Sequence, residues 1–325
     1  MKKHYGVLVI SEQNDGHIHN ISYELLGKGK EISEKLGSPL YALVLSGDDL
    51  DVKELNYRGA SKVFYIKDKC FEKPEEFLFK ENIVRFIEEQ SPEIVLIGAT
   101  NFGRSLAPRI AAALKTGLTA DCTNLEIDED GNFIQVRPAF SNNILAHIKT
   151  ITLPKIATIR YKQFNEGERD ENRDVNISIL KPYVFKNDKS EIIKIFKDSD
   201  FDITEAEVVV SGGRGIKRKE DLAMIKELAE LLGGELGATR AIVDAGMIGS
   251  EHQVGYSGNR VKPKVYIACG ISGAPQHIAG MKEAELIIAI NSDASAPIFN
   301  FADYGYVGDL YEIVPKMIQD IKKYR

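Results

Sequence analysis

The sequence lacks the features that mark several classes of protein. No apolar run approaches the roughly 20 residues that a membrane helix requires, and the apolar stretch after Met1 is too short for a signal peptide. Basic residues are not in excess, because 42 Lys and Arg stand against 48 Asp and Glu for a net charge of -6. Neither half is therefore expected to bind nucleic acid. We expect a cytoplasmic protein without a membrane span.

Cysteine is scarce as well. The three cysteines, Cys70, Cys122 and Cys269, lie far apart and lack the spacing of metal ligands. Buried thiols in a reducing compartment explain them best. The sequence also shows no Ser/His/Asp order, no Walker lysine and no paired carboxylates, so no apparatus for acting on a substrate is evident.

What is present indicates an α/β protein of two domains. The length of 325 residues and the hydrophobic content of 43% suit two buried cores. Short apolar runs alternate with segments of helical period in the first part of the chain. This alternation predicts a doubly wound layer, with strands at 6–10, 40–45, 62–66 and 93–97 and helices at 22–36, 50–57, 74–89 and 104–115.

After residue 115 the pattern changes. Four segments, 116–123, 132–137, 144–148 and 156–160, suggest antiparallel strands added at the edge of the sheet. The charged stretch 163–174 and the polar segment 186–200 are expected to lie between two sheets. We therefore predict a first domain over 1–200, ending in a charged linker, and a second over 201–325.

The second domain contains three strand ends that are closed by small or polar residues. Val208-Val-Val leads into Ser211-Gly-Gly-Arg-Gly215, Val265 to Ala268 leads into Gly270-Ile-Ser-Gly-Ala-Pro275, and a third apolar run ends at Asn291. Turns of this kind expose backbone N–H groups to a ligand. Parallel strands that end together form a ligand crevice at the carboxyl edge of their sheet.

Longer motifs around these turns carry a family resemblance. They are Tyr266-Ile-Ala-x-Gly-Ile-Ser-Gly-Ala-x-Gln-His-x-x-Gly-Met281, Ile288-Ala-Ile-Asn291, Ala296-Pro-Ile-Phe299, Arg240-x-x-x-Asp-Ala-Gly246 and Gln253-Val-Gly255. In sequence and order they resemble the alpha subunit of electron-transfer flavoproteins. A glycine-rich turn by itself is weak evidence, whereas this ordered set is specific.

The resemblance implies a Rossmann-like N-terminal sheet (adenine nucleotide alpha hydrolase-like) and a C-terminal doubly wound parallel sheet that binds FAD. The turn Gly98–Ser105 looks like a phosphate or adenylate site. In this family, however, the nucleotide in that fold belongs to the beta subunit. We therefore expect this turn to be structural and the first domain to pack against the beta subunit of a heterodimer.

The resemblance also implies a set of FAD contacts. Arg214 and Arg240 are cations near the flavin, where positive charge favours the reduced, negatively charged states. His277 donates an N–H at the pyrimidine side, and Ser257 corresponds to a hydroxyl near N5. The remaining expected contacts are Thr239, Gln253, Val254, Gly255, Tyr256, Ser272, Gly273, Ala274, Pro275, Gln276, Asn291, Asp309 and Leu310.

Two of these residues depart from the common pattern of the family. Pro275 replaces an aliphatic residue and offers no backbone N–H. Tyr256 stands where many members carry Gln. Either change is expected to shift the flavin potential without removing a residue needed for binding.

The function implied is electron transfer between a dehydrogenase, such as an acyl-CoA dehydrogenase, and another redox partner. On this hypothesis the chain is a carrier and not a substrate-converting enzyme by itself. The alternative is a flavin- or NAD-dependent oxidoreductase that acts directly on a small substrate. The N-terminal run Glu12–Gly27 resembles members from anaerobes that perform electron bifurcation. In those, NADH reduces a beta-subunit flavin that splits electrons between ferredoxin and the alpha-subunit flavin.

Overall fold

The chain divides into two compact units, Met1–Ile195 and Phe196–Arg325. The computed structural model describes residues 4–14, 16–139, 144–187 and 203–324. Within these ranges no helix combines the length and the apolar character needed to cross a bilayer.

The first unit is built on a seven-stranded parallel sheet. Its helices are α1 (Asn20–Leu36), α2 (Lys53–Tyr57), α3 (Glu76–Gln90) and α4 (Asn101–Leu114). Its strands are β1 (Val7–Ser11), β2 (Gln13–Asn14), β3 (His17–Ile18), β4 (Leu40–Ser46), β5 (Lys62–Lys67), β6 (Ile94–Gly98), β7 (Leu118–Cys122), β8 (Asn124–Ile127), β9 (Phe133–Ala139), β10 (Ile144–Ile148), β11 (Lys155–Ile159) and β12 (Ile177–Leu180). The strand order is β12-β5-β4-β1-β6-β11-β7.

Helices cover both faces of this sheet, so its central strands are apolar on both sides. In β1, Val7 and Val9 pack into one core with Leu25 of α1. Leu8 and Ile10 pack into a second core with residues of α3 and α4. The α/β class and the doubly wound layering predicted from the sequence are confirmed.

The prediction of antiparallel strands at the sheet edge is partly wrong. Strand β11 lies inside the sheet, parallel to both β6 and β7. Strands β9 and β10 are antiparallel, but they form a separate three-stranded sheet with β8. The reason is visible in β11 itself: Ile156, Ala157 and Ile159 are completely buried, as expected of a strand covered on both faces.

The charged stretch 163–174 is not a connection between the two units, as predicted, but a part of the first unit. The Glu24 carboxylate on α1 accepts hydrogen bonds from the backbone N–H groups of Lys162 (2.9 Å) and Gln163 (3.1 Å). Further along, Arg169 pairs with Glu54, Nε to Oε1 at 2.9 Å. The chain then continues into β12, which pairs with β5. This stretch therefore belongs to the first unit, and the predicted linker 186–200 lies almost wholly outside the described residues.

The second unit is a smaller doubly wound domain. It contains β13 (Val208–Gly212), α5 (Leu222–Leu231), β14 (Glu235–Ala238), α6 (Arg240–Asp244), β15 (Val265–Cys269), α7 (Pro275–Met281), β16 (Leu286–Asn291), β17 (Tyr304–Val307) and α8 (Leu310–Tyr324). All pairings are parallel, in the order β14-β13-β15-β16-β17. The order reverses between β13 and β15, which is where such folds bind ligands.

Candidate cofactor-binding site

The first unit contains a turn that resembles a phosphate site, but the protein fills it with its own groups. Thr100 precedes α4, and its hydroxyl accepts a hydrogen bond from Gly103 N–H at 2.9 Å. The same hydroxyl donates to the Glu12 carboxylate at 2.6 Å. Burial raises the pKa of Glu12. The polar groups at this helix start therefore bond to one another, and the structural role of Gly98–Ser105 stays a prediction.

In the second unit the two turns at the switch point are joined by backbone hydrogen bonds. Gly213 N–H donates to the Cys269 carbonyl at 2.9 Å, and Gly215 N–H donates to the Gly270 carbonyl at 3.0 Å. The turn after β13 and the turn after β15 therefore form one continuous surface. The side chains of Arg214 and Ser272 are exposed on these turns.

Glycine is required where this surface is tightest. Gly273 has a φ of 89°, and a Cβ placed on it would lie 2.4 Å from the Ile298 backbone nitrogen. A Cβ on Gly213 would lie 2.5 Å from the Gly270 carbonyl oxygen. Contacts this short exclude any side chain, so glycine is required at Gly213, which packs on the turn after β15, and at Gly273, which packs on Ile298.

A third loop reaches the same edge after β14. Thr239 N–H donates to the Gly212 carbonyl at 3.0 Å. The Thr239 hydroxyl oxygen is buried and has no hydrogen-bond partner among the described residues. Arg240 follows at the start of α6 and pairs with Asp244, Nε to Oδ2 at 3.2 Å. A buried hydroxyl without a partner costs free energy, so a ligand with polar atoms would satisfy it.

The turn from Gln253 to Asn259 supplies five of the predicted contacts, Gln253 to Ser257. It closes on itself, because Asn259 N–H donates to the Gln253 carbonyl at 2.7 Å and Gly255 N–H donates to the Asn259 carbonyl at 3.0 Å. Gln253 is buried, and its Nε2 lies 3.3 Å from Ser257 Oγ. Ser257 itself is exposed.

Tyr256 extends from this turn, with 61% of its surface exposed. The Arg260 guanidinium stacks on its ring at 4.8 Å from the centroid. Arg260 Nη1 is buried and, like the Thr239 hydroxyl, is unpartnered within the described part of the chain. An exposed aromatic ring with a cation on it offers a stacking surface to a planar ligand.

Helix α7 holds this turn in place. Tyr256 N–H donates to the Gln276 carbonyl at 2.7 Å. A Cβ on Gly280 would lie 2.5 Å from the Gly255 backbone nitrogen, so the turn packs directly on the helix. Pro275 occupies the first helical position, where its missing N–H costs no hydrogen bond. Ala274, Pro275 and Gln276 are exposed at this end.

His277 is buried beneath the turn. Its Nδ1 lies 3.0 Å from the Val254 carbonyl oxygen, and its Nε2 lies 3.0 Å from the Tyr266 hydroxyl. Burial lowers the pKa of His277 to about 4. Both ring nitrogens are thus engaged by the protein. The predicted N–H donation to a flavin requires that His277 give up one of these bonds.

The last three predicted contacts, Asn291, Asp309 and Leu310, already have contacts within the protein. Asn291 donates through Nδ2 to the Ile271 carbonyl at 2.8 Å and accepts from Asp293 N–H. Asp309 accepts from Tyr311 N–H at 2.9 Å just before α8. Leu310 is buried in the core, where its side chain meets the Gly270 turn. Leu310 can therefore reach a ligand only through its backbone.

Taken together, the predicted residues line the carboxyl edge of one parallel sheet. No role for Asp244, Tyr266 or Arg260 was predicted from the sequence. The pairing of Asp244 with Arg240 could have been predicted, because a carboxylate four residues after an arginine on a helix commonly pairs with that arginine. The Tyr266 and Arg260 contacts arise only when separate segments fold together.

This edge defines a class of protein. A doubly wound domain with cations and an exposed aromatic ring, and with two buried donors that find no partner in the described part of the chain, suits a nucleotide-type redox cofactor. The donor set fits the phosphates and polar ring edge of such a molecule.

Comparison with known proteins identifies the family. Residues 7–183 match the electron transfer flavoprotein domain, and residues 202–282 match the electron transfer flavoprotein FAD-binding domain. The electron transfer flavoprotein subunit alpha of Thermoanaerobacterium thermosaccharolyticum is 43% identical, with 99% of each chain covered. The chain belongs to the electron-transfer flavoprotein family and is similar throughout to its alpha subunits.

Two other relatives have more specific names. The lactate dehydrogenase (NAD(+),ferredoxin) subunit LctC of Acetobacterium woodii is 45% identical, with 98% of this chain and 77% of the relative covered. The acryloyl-CoA reductase electron transfer subunit beta of Anaerotignum propionicum is 37% identical, with 98% of this chain and 95% of the relative covered.

Proposed function

We propose that this chain is the FAD-binding subunit of a heterodimeric electron carrier. It would pass electrons between a flavin dehydrogenase and a second redox partner. The observation that carries the proposal is the carboxyl edge of the second unit's sheet, where the Thr239 hydroxyl is buried without a hydrogen-bond partner among the described residues and its own N–H bonds to the end of β13. The family match over the whole chain supports the same conclusion.

The residues of this edge divide into groups by chemistry. The turns after β13 and β15, with Arg214, would hold the diphosphate through backbone N–H groups and one cation. Thr239, Arg240, Gln253 and Ser257 offer polar groups for the edge of the ring. The adenosine end would lie toward Asn291 and Asp309. FAD supplies the redox chemistry when bound, and these residues bind it, orient it and set its electrostatic surroundings.

The choice of partners follows from the names of the relatives. One relative is named for lactate oxidation with NAD(+) and ferredoxin, and another for acryloyl-CoA reduction. We propose a beta subunit as the constant partner and a dehydrogenase such as an acyl-CoA dehydrogenase as the electron donor or acceptor. NADH and ferredoxin would act through the beta subunit if the complex bifurcates electrons. The cytoplasm is the proposed location.

Co-expression with the beta subunit tests this proposal. The purified complex should contain FAD and show no turnover on small substrates until a dehydrogenase and its substrate are added. Two FAD per heterodimer would support bifurcation, and one FAD with AMP would support the simple carrier. Turnover of a small substrate without any dehydrogenase would favour the direct oxidoreductase instead.

A further inference from the structure

Tyr256 and Arg260 form a stacked pair beside the candidate site. Both lie on the segment between α6 and β15, four positions apart in the chain. The Arg260 guanidinium lies over the Tyr256 ring, with its central carbon 4.8 Å from the ring centroid. At this distance a cation is attracted to the electron-rich face of an aromatic ring.

Neither side chain has another partner in the part of the chain that the structure describes. The Tyr256 hydroxyl forms no hydrogen bond there, and its ring belongs to neither of the two cores of the second unit. Among the same residues Arg260 forms no ion pair, and its Nη1 is buried without a hydrogen-bond partner. A cation that is partly removed from water needs a compensating group. The face of the Tyr256 ring is the group that these residues supply.

The Tyr256 ring is also open to a ligand. Its exposed fraction is 61%, although the guanidinium lies on it. The backbone beneath it is fixed, because Tyr256 N–H donates to the Gln276 carbonyl on α7 at 2.7 Å. An exposed side chain keeps its rotamer freedom unless a contact restricts it. The contact with Arg260 is therefore what restricts the orientation of this ring.

We propose that Arg260 is a positioning residue, which holds the Tyr256 ring as a stacking surface for the planar ring of the cofactor. Arg260 acts through Tyr256 and is not itself a cofactor contact. Arginine suits this role, because its planar guanidinium stacks on aromatic faces and is always charged. The stacked pair is a property of this chain alone, whereas its effect on FAD binding rests on the proposed function.

A double-mutant cycle on the heterodimer tests the inference, because it measures whether two residues act together. The variants are Arg260→Gln, Tyr256→Leu and both combined. Lys62→Gln is the matched control, since Lys62 Nζ lies 4.7 Å from the centroid of the Phe64 ring in the first unit. One readout is FAD affinity. The other is the NMR signal of the Arg260 side chain, assigned by its loss in Arg260→Gln, which the ring shifts only while the guanidinium is stacked on it.

Tyr256→Leu should bind FAD about fivefold more weakly, because it removes the stacking surface. Arg260→Gln should bind FAD about threefold more weakly, the effect of one exposed contact between a cation and a ring. In the Tyr256→Leu background, Arg260→Gln should cause no further loss. The Arg260 signal should move to the position of an unstacked arginine in Tyr256→Leu, and Lys62→Gln should change neither readout.

Equal losses from Arg260→Gln in both backgrounds would overturn the inference, because the guanidinium would then act on FAD without the ring. An Arg260 signal that is the same in Tyr256→Leu and the wild type would also overturn it, even if Arg260→Gln failed to fold. Unchanged FAD affinity in Tyr256→Leu would overturn the stacking surface and leave the proposed function intact. A wild-type heterodimer without FAD would contradict the proposed function and, with it, this role of Arg260.

Discussion

Arg240 and Asp244 form an ion pair on the outer face of α6, with Arg240 Nε 3.2 Å from Asp244 Oδ2. Their side chains are 70% and 63% exposed. The cation that the sequence suggests for tuning a flavin is therefore partly neutralised by a neighbour on its own helix. Solvent weakens both charges, so the pair is expected to adjust the flavin potential and to add little to stability.

The first prediction is that these two charges shift the flavin potential in opposite directions. Arg240→Ala should lower the one-electron potential, because a cation stabilises the added negative charge. Asp244→Asn should raise it, because Arg240 is then uncompensated. Shifts on the order of tens of mV are expected, where about 59 mV corresponds to a tenfold change. Redox titration of the FAD-loaded complex measures both.

Lys226→Ala is the control for this experiment. Lys226 forms a similar exposed pair with Glu230 on α5, Nζ to Oε1 at 3.6 Å, and no predicted cofactor contact lies on α5. The one-electron potential of the flavin in Lys226→Ala should match that in the wild type. Two unchanged potentials for Arg240→Ala and Asp244→Asn would show that the cofactor lies elsewhere.

The second prediction concerns the unpartnered hydroxyl of Thr239. Thr239→Val keeps the side-chain shape and removes a buried polar atom that bonds to nothing in the described protein. The stability of the FAD-free protein should be unchanged or slightly higher. FAD affinity should fall about fivefold if the hydroxyl bonds to the cofactor.

Thr119→Val gives the opposite pattern and serves as the comparison. The Thr119 hydroxyl is buried in the first unit and donates to Gln135 Oε1 at 2.9 Å. Losing it should lower the unfolding free energy by about 1 kcal/mol without changing FAD affinity. Thermal unfolding and FAD titration on both variants check the pair. Equal FAD affinity in Thr239→Val and the wild type would argue against a contact at Thr239.

The third prediction separates backbone strain from steric clash at the glycine turns. Gly273 has a φ of 89° and a Cβ there would lie 2.4 Å from Ile298 N, whereas Gly233 has a φ of 68° with open space around it. Gly233→Ala should cost about 1 kcal/mol from conformation alone. Gly273→Ala should cost about 3 kcal/mol or more, because the turn must also move.

Urea unfolding of both glycine variants gives the two free energies. If both variants lose the same unfolding free energy, the turn at Gly273 can move to accommodate a Cβ at little cost in free energy. The close packing of the switch-point turns would then not be needed for stability.

The fourth prediction is a pH dependence from His277. Because its pKa is lowered to about 4 in the folded state, the unfolded chain takes up a proton below pH 6.5 while the folded chain does not. The unfolding free energy should therefore fall as the pH drops from 6.5 to about 4. The loss is at most about 3 kcal/mol.

The difference between wild type and His277→Gln isolates this contribution from other groups, such as Glu12. Unfolding free energies at several pH values across the window should converge for the two proteins as the pH falls. Parallel curves would show that folding does not lower the pKa of His277.

The extent to which the fold could be predicted depends on the kind of strand. Both faces of β11 are buried, and its sequence Lys-Ile-Ala-Thr-Ile could have indicated a central strand. The burial pattern indicates that a strand is central but not which strands lie beside it. The position of β11 between β6 and β7 could therefore not be predicted. Strand β17, Tyr304–Val307, is exposed along its whole length and has no hydrophobic pattern to detect.

The candidate site was predictable where it follows from chain order. Strand ends of a parallel sheet meet at one edge, so Arg214, Thr239 and Ser272 could be assigned to it from motifs alone. The hydrogen bonds of His277 could not, because its partners Tyr266 and Val254 lie on other segments. Which of the two ring nitrogens of His277 carries the proton depends on those partners.

The central claim is that the second unit of this chain holds FAD. Ala274 is exposed beside the Gly273 turn, so Ala274→Trp adds a bulky ring where the cofactor would lie without disturbing the core. Ala113→Trp, at an exposed position on α4 of the first unit, is the control. The measurement is the FAD content of the purified heterodimer for the wild type and both variants. The account predicts that Ala274→Trp loses one FAD per heterodimer and that Ala113→Trp loses none, whereas equal FAD content in all three would contradict it.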